Sequence, residues 1–189
     1  YNPETDYILN PHDERCANWD LWSECEEVVD YENIANALIP EEGKSDPFWV
    51  SSSRTIFSDS AMRISTQENR SIEEFLKVIL SLSLKNLRDF LRNTPSANLV
   101  EEKIEKTAIS IRSVTTNYAK SLRFLQGVDK GQEKFAIKNW MADEKYSNSG
   151  LFISTTEKHR DSTRPLISMW LSMATKNLQS MGENRDRRV

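Results

Sequence analysis

The stretch "TPSANLVEEKIEKTAISIRSVTTNYAKSLRFLQG", residues 94–127, decides the fold class. Ile104, Thr107, Ile111, Val114, Tyr118, Leu122 and Leu125 recur in it at alternating spacings of three and four. Those spacings place all seven on one stripe of a helix. Glu101, Glu102 and Glu105 fall toward its start, where the helix dipole favours anions. Thr94-Pro95 opens the pattern, and Gly127 and Gly131 close it. The sequence therefore predicts one long helix, with Ile104, Ile111, Val114, Tyr118 and Leu122 in the core of a helical bundle.

Working outward, the flanking segments carry start and stop signals for further helices. Asp30 is placed to cap a helix whose Ile34, Ala35 and Leu38 share a face, and Pro40 ends it. "EEGKS" reads as a loop. Asp46-Pro47 is an N-cap followed by proline at the first helical position, ahead of Phe48, Ile56, Phe57 and Ile64. Ser71-Ile-Glu-Glu74 is a capping box before Phe75, Leu76, Ile79 and Leu80. Ser83 restarts a helix through Leu84, Leu87, Phe90 and Leu91, and a short one is expected around Ile137, Trp140 and Met141.

The period changes at both ends of the chain. "YNPETDYILNP" is proline-marked loop with a strand expected around Ile8. "GLFIST", residues 150–155, reads as a short buried strand. Ser162 or Thr163 is expected to cap a last helix with Pro165 in its first turn and Leu166, Met169, Trp170, Met173 and Leu178 on its apolar face. That helix is expected to end near Gly182, with a strand beginning at Val189. The fold class is mainly α: an all-α helical bundle flanked by partial α/β segments.

With 189 residues, 38% hydrophobic and 29% charged, the chain reads as globular. It lacks any run of roughly 18 apolar residues that a bilayer span requires. Its two cysteines fit a reducing compartment. The net charge of -4 conceals an asymmetry: residues 1–48 hold 2 basic and 13 acidic side chains, whereas residues 49–189 hold 23 basic and 16 acidic. This describes either two solvated faces of opposite sign, or a larger basic part that meets a polyanion.

Neither Gly-rich phosphate-binding loop is present. His12, Cys16 and Cys25 are too few and too scattered for a zinc site, and no orienting motif makes a Cys–His nucleophile pair of them. Two basic groups remain. Lys103, Lys106, Arg112, Lys120 and Arg123 lie off the apolar stripe of the long helix, as an ordinary solvated face or as a nucleic-acid track. Lys158, Arg160 and Arg164 surround His159 just after the second expected strand, as a solvated loop or as a phosphate-contacting one. Trp19, Trp22, Trp49, Trp140 and Trp170 read as core residues rather than base-stacking ones.

"ILNPHDERCANWDLWSEC" (8–25), "DPFWVSSSRTIFSDSA" (46–61), "NTPSANLVEEKIEKTAISIRS" (93–113) and "LISMWLS…MGENRDRRV" (166–189) resemble the TraD-type type IV secretion coupling proteins of bacterial conjugation. The resemblance covers essentially the whole chain and departs mainly in the loops "EEGKSD", "GVDKGQEK" and "MADEKYSN". Members of that family are hexameric inner-membrane ATPases that link relaxase-bound DNA to the secretion channel and pump single-stranded DNA. Their cytoplasmic part is a RecA-like nucleotide-binding domain with an all-α domain inserted between its Walker A loop and Walker B strand.

The resemblance implies a fragment: 1–23 and 146–189 from the nucleotide-binding domain, 24–145 the inserted domain, and Walker B starting just past Val189. Such a fragment lacks both Walker motifs and is expected to be inactive alone and to hold no cofactor or metal, whereas ATP and Mg are implied for the parent protein. Implied partners are single-stranded DNA, relaxosome proteins, secretion channel components and, in the parent, a homo-hexamer. The fragment itself would lie on the cytoplasmic side of the inner membrane without touching it. The alternative role is a structural spacer or an element coupling the nucleotide cycle of the hexamer, without direct DNA contact.

Overall fold

The computed structural model describes residues 1–41, 46–128 and 131–181. Within these, seven α-helices are joined by short 3-10 segments, one π-helical segment (Lys77–Ser81) and four short strands. The helices are α1 (Val28–Leu38), α2 (Pro47–Ser65), α3 (Ile72–Leu76), α4 (Leu84–Phe90), α5 (Glu105–Ala119), α6 (Ile137–Ala142) and α7 (Arg160–Ser180). The strands are β1 (Tyr7–Leu9), β2 (Asn18–Trp19), β3 (Lys134–Phe135) and β4 (Leu151–Ile153). The mainly-α class and the α/β character of both ends are thus as the sequence predicts.

Both strand pairs are parallel and join the beginning of the chain to its end. Tyr7, Ile8 and Leu9 pair with Leu151, Phe152 and Ile153, and Asn18 and Trp19 pair with Lys134 and Phe135. A buried carboxylate reinforces the second junction. Glu24 accepts from the Trp19 indole N–H and from the main-chain N–H groups of Ile137 and Lys138. It thereby caps α6, whose first N–H groups have no partner inside the helix.

Helix starts follow the capping signals, with two corrections. Asp46 accepts from the Phe48 N–H with Pro47 at the first helical position; Ser71 accepts from Glu74 N–H and Ser83 from Asn86 N–H. Asp30 is not the N-cap of α1. It is the third helical residue, and its carboxylate accepts from the N–H groups of Glu26 and Glu27, so the helix begins at Val28. Ser162 and Thr163 do not cap α7. That helix starts at Arg160, and Thr163 lies inside it, its hydroxyl donating back to the His159 carbonyl. Pro165 is accordingly inside the helix rather than in its first turn.

The long helix is broken. Pro95–Val100 is a 3-10 turn, Glu101 is extended (φ -62°, ψ 148°), and α-helical geometry begins only at Glu105. The cause is tertiary. The Ser96 N–H donates to the buried Asp59 carboxylate of α2, and the Val100 carbonyl accepts from Arg88 of α4. The Val100 carbonyl, which a continuous helix would offer to the Ile104 N–H, is held by Arg88, while Asp59 fixes the turn at Ser96. After Ala119 the helix tightens to 3-10 geometry through Leu125, and Gly127 (φ 76°) turns the chain away.

The buried face of α5 is Ala108, Ile111, Thr115 and Ala119, continued by Leu122. Ile111 and Leu122 are core residues as expected, whereas Ile104, Thr107, Val114 and Tyr118 are only half-buried. The contact between α2 and α5 is close because small residues face it. Ser53 of α2, fully buried, donates to the Ile111 carbonyl, and Thr115 is buried one turn on. Phe57, Ile64, Phe75, Ile79 and Leu91 fill the centre, and α7 adds Leu166, Met169 and Trp170 to the same apolar cluster. All five tryptophans belong to this packing, three buried and Trp49 and Trp140 partly so.

Strand β4 is not buried as predicted. Leu151 and Ile153 turn toward the core while Phe152 points out, 45% exposed, its ring edge-to-face with Tyr1. The core covers only one face of this two-stranded sheet, so its strand alternates between buried and exposed side chains. The expected loop at 42–45, helix end at Gly182 and strand at Val189 lie outside the described residues.

Candidate nucleic-acid interface

One residue of the first candidate group, Arg123, comes near the second at the carboxyl ends of β1 and β4. Just past Leu9, the buried Asn10 amide reaches the Ser154 hydroxyl at 3.4 Å, and the Ser154 N–H donates to the Leu9 carbonyl. Asn10 also accepts from the His12 N–H, which fixes the turn that presents His12. Past the other strand, the hydroxyl of Thr155 meets that of Thr163 in α7 at 2.9 Å, and Thr163 donates to the His159 carbonyl. The two histidines are thereby set face to face, ring centroids 3.7 Å apart and nearly parallel. The carboxyl edge of parallel strands is where ligands most often bind in α/β sheets.

A third ring joins from the helical part of the chain. Phe124, in the 3-10 turn that ends the α5 segment, approaches His12 edge-on at 5.0 Å. The Arg123 guanidinium lies over the Phe124 ring at 5.0 Å. A cleft of about 160 Å³ runs beside this ladder, walled by His12, Phe124, Gln126 and Gly127. So Arg123 of the first basic group and Lys158 of the second flank one surface. The acidic residues nearby are partly neutralised: Asp13 binds Arg15 through both carboxylate oxygens, and Glu157 pairs with Arg160. Burial, His159 and Lys158 together lower the His12 pKa, which favours the neutral ring.

The remaining basic candidates scatter. At about 100° per residue, Lys106 falls roughly opposite the buried face of α5, exposed to solvent. Lys103, also exposed, pairs with Glu101 at 2.7 Å. Lys120, Lys158 and Arg164 are exposed, and Arg160 is exposed beside Glu157. Arg112 is different. Its guanidinium is half-buried and donates to the Ile79 carbonyl, and burial lowers its pKa. Arg54, Arg63 and Arg88 likewise donate to main-chain carbonyls. The positive balance after residue 48 therefore overstates the charge open to a ligand.

Sequence reasoning missed the rings. In the sequence His12 stands out only beside Cys16 and Cys25, as part of a metal-ligand set or of a nucleophile pair. Those thiols are both free, and burial pushes the pKa of Cys16 up to about 11. His159 stands out only through its basic neighbours, and nothing in the sequence marks Phe124. Residues 12, 124 and 159 are far apart in the chain, and only the parallel pairing of β1 with β4 brings two of them together. Among the described residues, no helix is long and apolar enough to cross a membrane.

Comparison with known proteins bears on this arrangement. The model of the type IV secretion-system coupling protein DNA-binding domain matches residues 1–189. Coupling protein TraD of Escherichia coli (strain K12) is 52% identical over 191 residues, covering 100% of this chain and 27% of that protein. Among solved structures, bacterial conjugative coupling protein TrwBdeltaN70 in complex with sulphate superimposes with a TM-score of 0.83 at 26% identity, over 100% of this chain and 44% of that one. Plasmid coupling protein TrwB in complex with ADP and Mg2+ gives a TM-score of 0.83 at 26% identity, over 98% of this chain and 44% of that one. The chain thus spans about a quarter of the curated relative and under half of the solved ones. On a match that runs its whole length, the chain belongs to the family of type IV secretion-system coupling protein DNA-binding domains.

Proposed function

We propose that this chain contributes a single-stranded DNA contact to a DNA-translocating ATPase that links a relaxosome to a type IV secretion channel. The observation that carries this reading is the convergence of Arg123 and Lys158 on one exposed surface in a member of a DNA-binding family. Residues 24–145 act as the inserted all-α domain, and residues 1–23 and 146–189 as its base in a nucleotide-binding domain. ATP and Mg belong to the parent protein's nucleotide site, consistent with the relative solved with ADP and Mg2+. The parent works as a membrane-anchored homo-hexamer on the cytoplasmic side, with relaxosome proteins and channel components as its protein partners.

Binding is electrostatic and indifferent to base sequence, so Lys106, Lys120, Arg123, Lys158 and Arg164 supply it by neutralising phosphates. Arg112 contributes to folding instead, because its guanidinium is tied to Ile79. The test is fluorescence anisotropy of labelled single-stranded oligonucleotides of unrelated sequence across a salt series. Affinity falls steeply with salt, and reversing Lys120 and Arg123 to Glu weakens it without unfolding the bundle, since both side chains are exposed. Absence of binding at low salt would make this part a spacer or a nucleotide-cycle-coupling element of the hexamer.

A further inference from the structure

We infer that the His12–His159–Phe124 ladder is a base-stacking platform, on which single-stranded DNA lays a nucleobase between the phosphate contacts of Arg123 and Lys158. The inference rests on the reading of this chain as a single-strand binder and adds to it a place and a mode.

Three observations support it. First, the ladder lies outside the apolar core: His12 is exposed, and His159 and Phe124 are half-buried. Aromatic pairs such as Trp19–Trp170 and Phe57–Phe75 pack within the core, but this one stands at the surface. Second, the ring positions are fixed from behind. Asn10 holds the His12 turn, Thr163 holds the His159 carbonyl, and the short cross-link from Thr155 to Thr163 fixes the loop between them. A ring held in place loses little freedom when a base stacks on it. Third, cations accompany the ladder: the Arg123 guanidinium lies over Phe124, and the charge of exposed Lys158 acts on His12.

Alternation of flat rings with flanking cations is the arrangement that binds single strands with little regard to sequence, because every base has a π-face and every linkage a phosphate. Duplex DNA keeps its bases stacked on one another and offers this platform nothing. Glu14, exposed at the rim of the cleft, opposes the phosphates and limits the contact to the side of Arg123 and Lys158.

The experiment compares oligothymidylate with an abasic strand of equal length, which keeps the phosphates and removes the bases. The proteins are the parent, His12→Ala, His12→Tyr and Phe124→Leu. The inference expects the parent to bind oligothymidylate more tightly than the abasic strand, by roughly 5- to 150-fold for one stacked base. His12→Ala and Phe124→Leu narrow that difference without changing the salt dependence, whereas His12→Tyr, which keeps a flat ring, preserves it. Unchanged melting temperatures confirm folding, and His12 is exposed enough for its variants to fold. If the parent binds with steep salt dependence but equally well to both strands, or if the ring variants bind as the parent does, the platform is refuted and the phosphate track stands. If the parent binds neither strand at low salt, both readings fail.

Discussion

Replacing Ile111 by alanine tests the packing that holds α5 against α2. Ile111 has no exposed surface, and its carbonyl also accepts from the buried Ser53 hydroxyl across the interface. The substitution removes three carbons from a filled site. At about 0.8 kcal/mol per buried methylene, the transfer loss is about 2.4 kcal/mol. The cavity adds to this, because Ser53 and Thr115, fixed by hydrogen bonds to the α5 backbone, resist moving in to fill it. The expected total is about 3–4 kcal/mol, inside the range for large-to-small core changes.

Ile109→Ala, two residues away, is the internal control. Ile109 is 53% exposed, and its truncation should change stability by no more than about 0.5 kcal/mol. Urea unfolding followed by circular dichroism gives both values, read as midpoint shifts at constant slope. The reasoning is refuted if the two substitutions cost the same, or if Ile109→Ala costs more. Either result would mean that α5 presents another face to the bundle.

Other expectations follow from single residues. Phe152 stands exposed on β4, whose outer edge is open among the described residues, so the chain should self-associate with rising concentration. Phe152→Lys should suppress this in sedimentation velocity, and a strictly monomeric parent would contradict the idea. Glu24→Ala leaves the Trp19, Ile137 and Lys138 N–H groups without their acceptor and should cost about 3 kcal/mol or more in denaturant melts. Burial raises the Glu24 pKa, with those three donors opposing. Its linkage contribution is therefore fully present below the unfolded value of 4.5 and is lost as pH rises through the folded pKa, a trend that Glu24→Gln should abolish.

The His12 pKa is shifted the other way, lowered by burial and by His159 and Lys158. Its contribution to stability is present above 6.5 and is lost as pH falls through the folded pKa. NMR titration of the imidazole resonances should show His12 moving back toward 6.5 in a His159→Ala variant, and an unmoved value would refute the coupling.

The sequence showed its helices wherever the deciding force is local. Asp46-Pro47, Ser71 and Ser83 cap the helices they precede, because a capping side chain and its N–H partners lie within a few residues. It failed where distant groups decide. Arg88 captures the Val100 carbonyl and Asp59 fixes the turn at Ser96, and the helix that periodicity predicted is broken there. The half-buried state of β4 depends on the core packing against one face of the β1–β4 pair, and no pattern within "LFIST" reports that. The candidate site divides the same way. The cations are visible as residue types, but a histidine in a loop carries no periodicity. The stack of His12 on His159 exists only once β1 and β4 are paired.

The most direct test is the slope of log affinity against log salt for single-stranded DNA, measured on the parent and on an Arg123→Ala, Lys158→Ala double variant. Each phosphate contact contributes about 0.7 to that slope, so losing both should reduce it by about 1.4. The same measurement on a Lys103→Ala, Arg112→Ala variant should leave it nearly unchanged, since Lys103 is paired with Glu101 and Arg112 with the Ile79 carbonyl. A slope that falls with the second pair and not with the first would place the DNA elsewhere on the bundle and contradict the account.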